Sequence, residues 1–171
     1  MRLIIFSTLL FFPWLLASVH AQQSLPDNIA LSKSNIAIDG YSPVSYFEKG
    51  IAERGDPGFA VEHGGRVYYL ASAGQAAKFS AAPEQYKPLF DVCPYSLSLG
   101  RKVSIDPTRF KIVAGRLLLF HNSAELDALR AWNEKDDDLG QLNQARRNYG
   151  TLQNSPIRDP GNSDNLLDMD F

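Results

Sequence analysis

Apolar residues fall along this chain in short blocks whose spacing changes from one block to the next. Leu3 to Val19 is a nearly continuous apolar run, interrupted by Ser7, Thr8, Pro13 and Ser18. It follows Met1-Arg2 and ends at Val19-His20-Ala21, the charge, apolar run and small-residue order of a secretory signal peptide over residues 1–21. Pro13 and the Val19-x-Ala21 ending favour cleavage over an uncleaved anchor. Residues 22–35 are polar, with Pro26 and Asp27, and read as a linker. Ile36 and Ile38 then lead into a turn at Gly40-Tyr41-Ser42-Pro43, with Val44, Tyr46 and Phe47 as a short buried turn or helix.

The clearest strand pattern runs from Phe59 to Leu70, centred on Gly64-Gly65, a pair suited to a tight turn with positive φ. That turn would set His63 opposite Arg66, Val61 opposite Tyr68 and Phe59 opposite Leu70. Ser72-x-x-Gln75 has the form of a capping box and opens a helix through Phe79 that Pro83 stops. Pro94 suits a first helical position, which places Cys93 at the N-cap of a short helix ending near Gly100. A second hairpin, Phe110 to Phe120, turns at Ala114-Gly115; both of its faces are apolar, so both should be covered. Asn122-x-x-Glu125 predicts a helix start with Leu126, Leu129 and Trp132 on its inner face. Asp136-Asp137-Asp138 marks a helix break or cap. Leu142, Ala145 and Tyr149 form a second helical stripe, ended by Gly150. Residues 150–171 are polar and are expected to be a disordered tail. No internal repeat is evident. The pattern predicts a single α+β domain over residues 36–149, a small antiparallel sheet of two β-hairpins packed with short helices.

Composition narrows the function classes. The chain has 171 residues, 44% of them hydrophobic, and a formal net charge of −2. That balance argues against a nucleic-acid partner. After signal cleavage no apolar run of membrane length remains, so an exported, periplasmic or secreted protein without a membrane partner is expected. The single cysteine, Cys93, permits neither an intramolecular disulfide nor a zinc finger. There is no G-x-S-x-G, H-E-x-x-H or glycine-rich phosphate loop, so no enzyme activity is expected. A nucleophile–base pair of Cys93 and His121 is the one catalytic alternative.

The middle of the chain resembles the YHS domain, in the form found alone in secreted and periplasmic proteins. Three stretches carry the resemblance: Asp39 to Phe47, Val67 to Tyr86, and Cys93 to Lys102 with Lys111 to Leu117. YHS domains and the related TRASH domains are generally taken as metal-binding modules. In the versions found in copper-transporting ATPases, the cysteine positions correspond to Ser45, Ala71 and Gln75 of this sequence, none of which is a thiolate ligand. Cys93 matches the cysteine of the secreted subgroup.

Three functions follow as expectations. The first is an exported metal-ion binding module, with copper as the possible cofactor because the only sulfur is a soft ligand. Cys93 would be the primary ligand and His121 the supporting one. The second is a non-catalytic domain for a small ligand or protein partner whose metal site is lost, with Tyr41, Tyr46, Tyr95 and His63 as its binding surface. The third is a thiol redox or sensor protein using Cys93, whose N-cap position favours a thiolate.

Overall fold

The computed structural model describes residues 35–160, all within one compact unit of the chain. The expected signal peptide, the linker up to residue 34 and residues 161–171 lie outside the described residues. A short 3-10 turn, Ala37–Gly40, leads into helix α1, Pro43–Glu48. Strands β1, Asp56–His63, and β2, Arg66–Leu70, form the first hairpin, followed by α2, Ala73–Ala81, and α3, Pro83–Tyr86. Helix α4, Pro94–Ser98, precedes the second hairpin of β3, Asp106–Val113, and β4, Arg116–Phe120. Helices α5, Ala128–Glu134, and α6, Asp138–Thr151, complete the described chain. This is the predicted α+β class.

The hairpins form two separate two-stranded sheets rather than one shared sheet. The outer edge of each is taken by its own preceding segment. Ile36 lies parallel to Val67, and Pro88 lies parallel to Leu117, where the Leu89 N–H donates to the Leu117 carbonyl at 2.9 Å. At those residues the edges of β2 and β4 are already paired and offer no ladder to the other hairpin.

The two halves of the chain repeat one another at a spacing of about fifty residues, a relation not apparent in the sequence pattern. Asp56-Pro57 begins β1 and Asp106-Pro107 begins β3; Gly65-Arg66 and Gly115-Arg116 follow at the two turns. The register slips at the same place in both hairpins. Asp56 pairs with Leu70 and Ala60 with Tyr69; Asp106 pairs with Phe120 and Phe110 with Leu119. Phe59 therefore does not face Leu70 as alternation predicts. The aspartate explains why: Asp56 Oδ1 accepts from the Gly58 N–H at 2.7 Å, and Asp106 Oδ1 from the Thr108 N–H at 2.8 Å. These local turns leave the intervening residues outside the ladder. Proline occupies the start of both α1 and α4, with Ser42 and Cys93 at the two N-caps. Gly64 and Gly65 have φ of 58° and 73°; Ala114 and Gly115 have 49° and 72°.

Two apolar clusters divide on β4. Leu117 and Leu119 pack with Val44, Tyr46, Leu70 and Phe79 of the first half. Leu118 and Phe120 pack with Cys93, Leu97, Trp132 and Leu142 of the second. Alternation along one strand thus feeds two cores, which confirms the coverage of both faces. Tyr46 joins the halves by donating from its hydroxyl to the Pro107 carbonyl at 2.8 Å.

The later helices differ from the pattern in position. Asn122 does not cap a helix. Ser123 Oγ instead accepts from the Glu125 and Leu126 N–H groups, which holds residues 123–126 as a turn. Helix α5 starts after Asp127, whose carboxylate accepts from the Arg130 N–H at 3.1 Å. Asp137 caps α6 by accepting from the Gly140 N–H, as the acidic break suggests. Helix α6 continues past Gly150 to Thr151, and the chain beyond it returns to the domain. The Arg158 N–H donates to the Lys102 carbonyl, and Asp159 Oδ1 accepts from the Ser104 N–H, both at 2.8 Å.

Candidate functional site

The three positions that the family resemblance marks for sulfur meet around one side chain. Gln75 Oε1 accepts from the Ser42 hydroxyl at 2.6 Å and from the Ala71 N–H at 3.1 Å. Its Nε2 donates to Ser45 Oγ at 3.0 Å, and the Ser45 hydroxyl donates to Glu53 at 2.6 Å. Ser72 accepts from the Gln75 N–H, so one arm of the expected capping box forms. The other arm turns inward, and the amide serves the buried serines instead of the Ser72 N–H. Lys78 hydrogen-bonds Glu48 and holds its carboxyl below the usual carboxylate range. Hydrogen bonds from Lys49 and Ser45 do the same for Glu53. Ser42, Ser45 and Gln75 are buried, and their hydrogen bonds close on one another, which is the condition for burying polar groups without penalty.

Cys93 caps α4 as the sequence predicts, but it is 0% exposed and belongs to the apolar cluster of the second half. Its backbone N–H donates to the Val103 carbonyl at 2.9 Å. Helix α4 is a single five-residue stretch, too short to develop the dipole of a long helix. Burial keeps solution oxidants and disulfide partners from the thiol. His121, just beyond β4, is 7% exposed. Its Nδ1 lies 3.2 Å from the Ser104 carbonyl, and its Nε2 is buried without a partner. Cys93 and His121 are thus anchored to adjacent residues, Val103 and Ser104. Among the described residues, no three His, Cys, Asp or Glu side chains group in a way that could hold a metal ion.

The predicted tyrosine surface is divided. Tyr46 is 1% exposed, and its hydroxyl is engaged by Pro107, so it is a core residue rather than a binding surface. Burial raises its hydroxyl pKa well above the ordinary value. Tyr41 is half-buried beneath Arg54, whose guanidinium lies 4.2 Å from the ring centre. Tyr95 is half-buried, with Lys135 Nζ 5.2 Å from its ring centre. His63 Nε2 lies 3.0 Å from Glu84, on the wall of a cleft of about 360 Å³ shared with Ile38, Arg66, Lys87 and Asp91.

A larger cavity, about 630 Å³, opens beside α4. Tyr95 and Ser96 contribute from the helix, Leu99 and Val103 from the loop after it, and Glu125 and Leu126 from the turn before α5. Leu152 and Pro156 close it from the segment beyond α6. Its volume falls within the range of about 300–1,000 Å³ usual for small-molecule sites, and its walls are mainly apolar with a few polar groups. Arg101, Lys102, Arg158 and Asp159 also line it. Of the predicted surface residues only Tyr95 lines this cavity. The rest was missed because one wall comes from residues beyond 149, where composition suggests a free tail. Among the described residues no helix is long and apolar enough to cross a membrane. Comparison with protein families, with curated proteins and with solved structures finds no match for this chain.

Proposed function

We propose that this chain is an exported, non-catalytic binding domain of YHS type that holds a small, largely apolar ligand beside α4. The cavity of about 630 Å³ lined by Tyr95, Leu99, Val103, Leu126, Leu152 and Pro156 carries this reading. The hydrogen-bonded cluster at Ser45, Ala71 and Gln75 supports it, since those positions hold a closed polar network in place of thiolates. Export rests on the signal-peptide pattern of residues 1–21. The test is fluorescence titration of the mature chain with N-phenyl-1-naphthylamine, an uncharged apolar probe. Saturable one-to-one binding is expected, weakened at least about tenfold by Leu99→Glu, which places a carboxylate on the apolar wall. Leu99 is 47% exposed, so the fold should tolerate the change. Absence of saturable binding, or equal binding by the variant, overturns the reading.

A second reading, a soft cation such as copper(I) held by Cys93 and His121, is favoured by the buried, unpartnered Nε2 of His121. The fit is partial, because these two residues supply fewer donors than the three or four usual in a closed site. Copper titration tests it: affinity weaker than micromolar, or unchanged in Cys93→Ser, removes this reading.

A further inference from the structure

We infer that the cavity beside α4 and the buried cluster around Gln75 are one site in two copies, plugged in the first half of the chain and open in the second. The inference rests on reading the cavity as a ligand site and goes further, to the origin of that site and the ligand it takes.

The backbone frames correspond. The Ser42 N–H donates to the Glu53 carbonyl at 2.8 Å, and the Cys93 N–H donates to the Val103 carbonyl at 2.9 Å. Each bond ties the N-cap of a proline-initiated helix to the segment leading into the following hairpin. At the fifty-residue spacing, with one residue more for the helix, Ser45, Glu48, Glu53 and Gln75 correspond to Ser96, Leu99, Val103 and Glu125. The first four form the polar cluster. All four counterparts line the cavity.

The differences between the copies explain why one is filled. In the first, the Gln75 side chain enters the site and finds Ser42, Ser45 and the Ala71 N–H as partners. In the second, Leu99 and Val103 replace the two carboxylates, so an amide inserted there would lack the acceptor that Glu48 gives Gln75, and the serine would lack the acceptor that Glu53 gives Ser45. The helix after the hairpin also begins later. Its cap is Asp127, not a residue at the spacing of Ser72, and Glu125 is left on a turn at the cavity wall. The space that Gln75 fills in one copy is therefore open in the other. The ligand suited to it resembles the plug in polarity distribution and is larger, as a cavity of about 630 Å³ allows. It is a small molecule with an apolar body against Leu99, Val103 and Leu126, and one O–H or N–H group that donates to Glu125.

Unplugging the first copy tests the inference. Acetamide, which reproduces the amide removed by Gln75→Ala, should raise the melting temperature of that variant more than that of the wild-type mature chain. A folded variant, judged by its circular dichroism melt, whose melting temperature rises no more than the wild type's overturns the equivalence. Gln75→Ser serves where Gln75→Ala does not fold. A wild type that binds no N-phenyl-1-naphthylamine overturns the ligand reading by itself; the equivalence then stands or falls on the acetamide rescue.

Discussion

Replacing Cys93 separates a core role from a chemical one. Its side chain is fully enclosed among Phe90, Val92, Leu97, Val103, Leu118 and other members of the second cluster. Cys93→Ala removes one heavy atom from this packing, at a cost of roughly 1–2 kcal/mol for lost transfer energy and the void left behind. Cys93→Ser also loses volume, oxygen being smaller than sulfur, and places a hydroxyl in apolar surroundings at a cap whose counterpart, Ser42, accepts no helix N–H. An unsatisfied buried hydroxyl costs about 1–3 kcal/mol, in addition to the lost apolar burial of sulfur. The serine variant should therefore be the less stable of the two. The counterpart position shows what serine requires there: Ser42 gives its hydroxyl proton to Gln75 at 2.6 Å. Urea denaturation followed by tryptophan fluorescence gives the two free energies directly, and Trp132 lies in the same cluster. For a domain of this size each kcal/mol shifts the melting temperature by about 3–5 °C, so thermal melts should order wild type above alanine above serine. A thiol reagent should label native Cys93 only as fast as the protein opens. Serine as stable as alanine, or rapid native labelling, would refute the burial argument.

Tyr46→Phe removes the hydroxyl that spans the two halves and leaves the Pro107 carbonyl without that donor. A loss of about 1–2 kcal/mol in urea denaturation is expected; an unchanged midpoint would show that another donor takes its place. Ala114→Gly should be neutral or stabilising by up to about 1 kcal/mol, because Ala114 has a φ of 49° where the first hairpin has Gly64. A melt that falls on this substitution contradicts the strain assigned to the turn. Acid should weaken the fold through Glu48, Glu53, Glu84 and Asp138. Hydrogen bonds from Lys78 lower Glu48, those from Lys49 and Ser45 lower Glu53, and those from Lys87 and His63 lower Glu84. At Asp138 burial pushes upward, but hydrogen bonds from Lys111 and Trp132 outweigh it. Carboxyls depressed in the fold bind protons more readily when unfolded. Their stabilisation is therefore complete above about pH 5 and falls as pH drops through the folded-state values. Denaturation midpoints from pH 7 to 3 should decline, and the decline should lessen in Asp138→Asn; a flat profile contradicts the assignment.

Sequence alone determined the elements whose causes are local. Gly64-Gly65 and Ala114-Gly115 place the two turns, Pro43 and Pro94 begin helices, and Ser72 caps α2. Cys93 is identified as an N-cap by the proline after it. The double coverage of β4 follows from its unbroken run of apolar residues. Other features depended on partners distant along the chain. Period-two alternation cannot reveal that an aspartate folding back on its own backbone will put Pro57 to Phe59 outside the ladder. Nor can it show that Ile36 and Pro88 bridge onto the edges of β2 and β4. The repeat was hidden because backbone hydrogen bonds preserve it while few side chains do: Asp-Pro, Gly-Arg and the helix-starting prolines recur, but most core residues differ. Tyr46 illustrates the same limit, since an amphipathic ring can face solvent or a core and only the Pro107 carbonyl decided which. The cavity belongs wholly to tertiary structure. Its walls come from three separate stretches, one of them a polar segment with no hydrophobic period, and they become a site only when the chain beyond α6 binds back to Lys102 and Ser104.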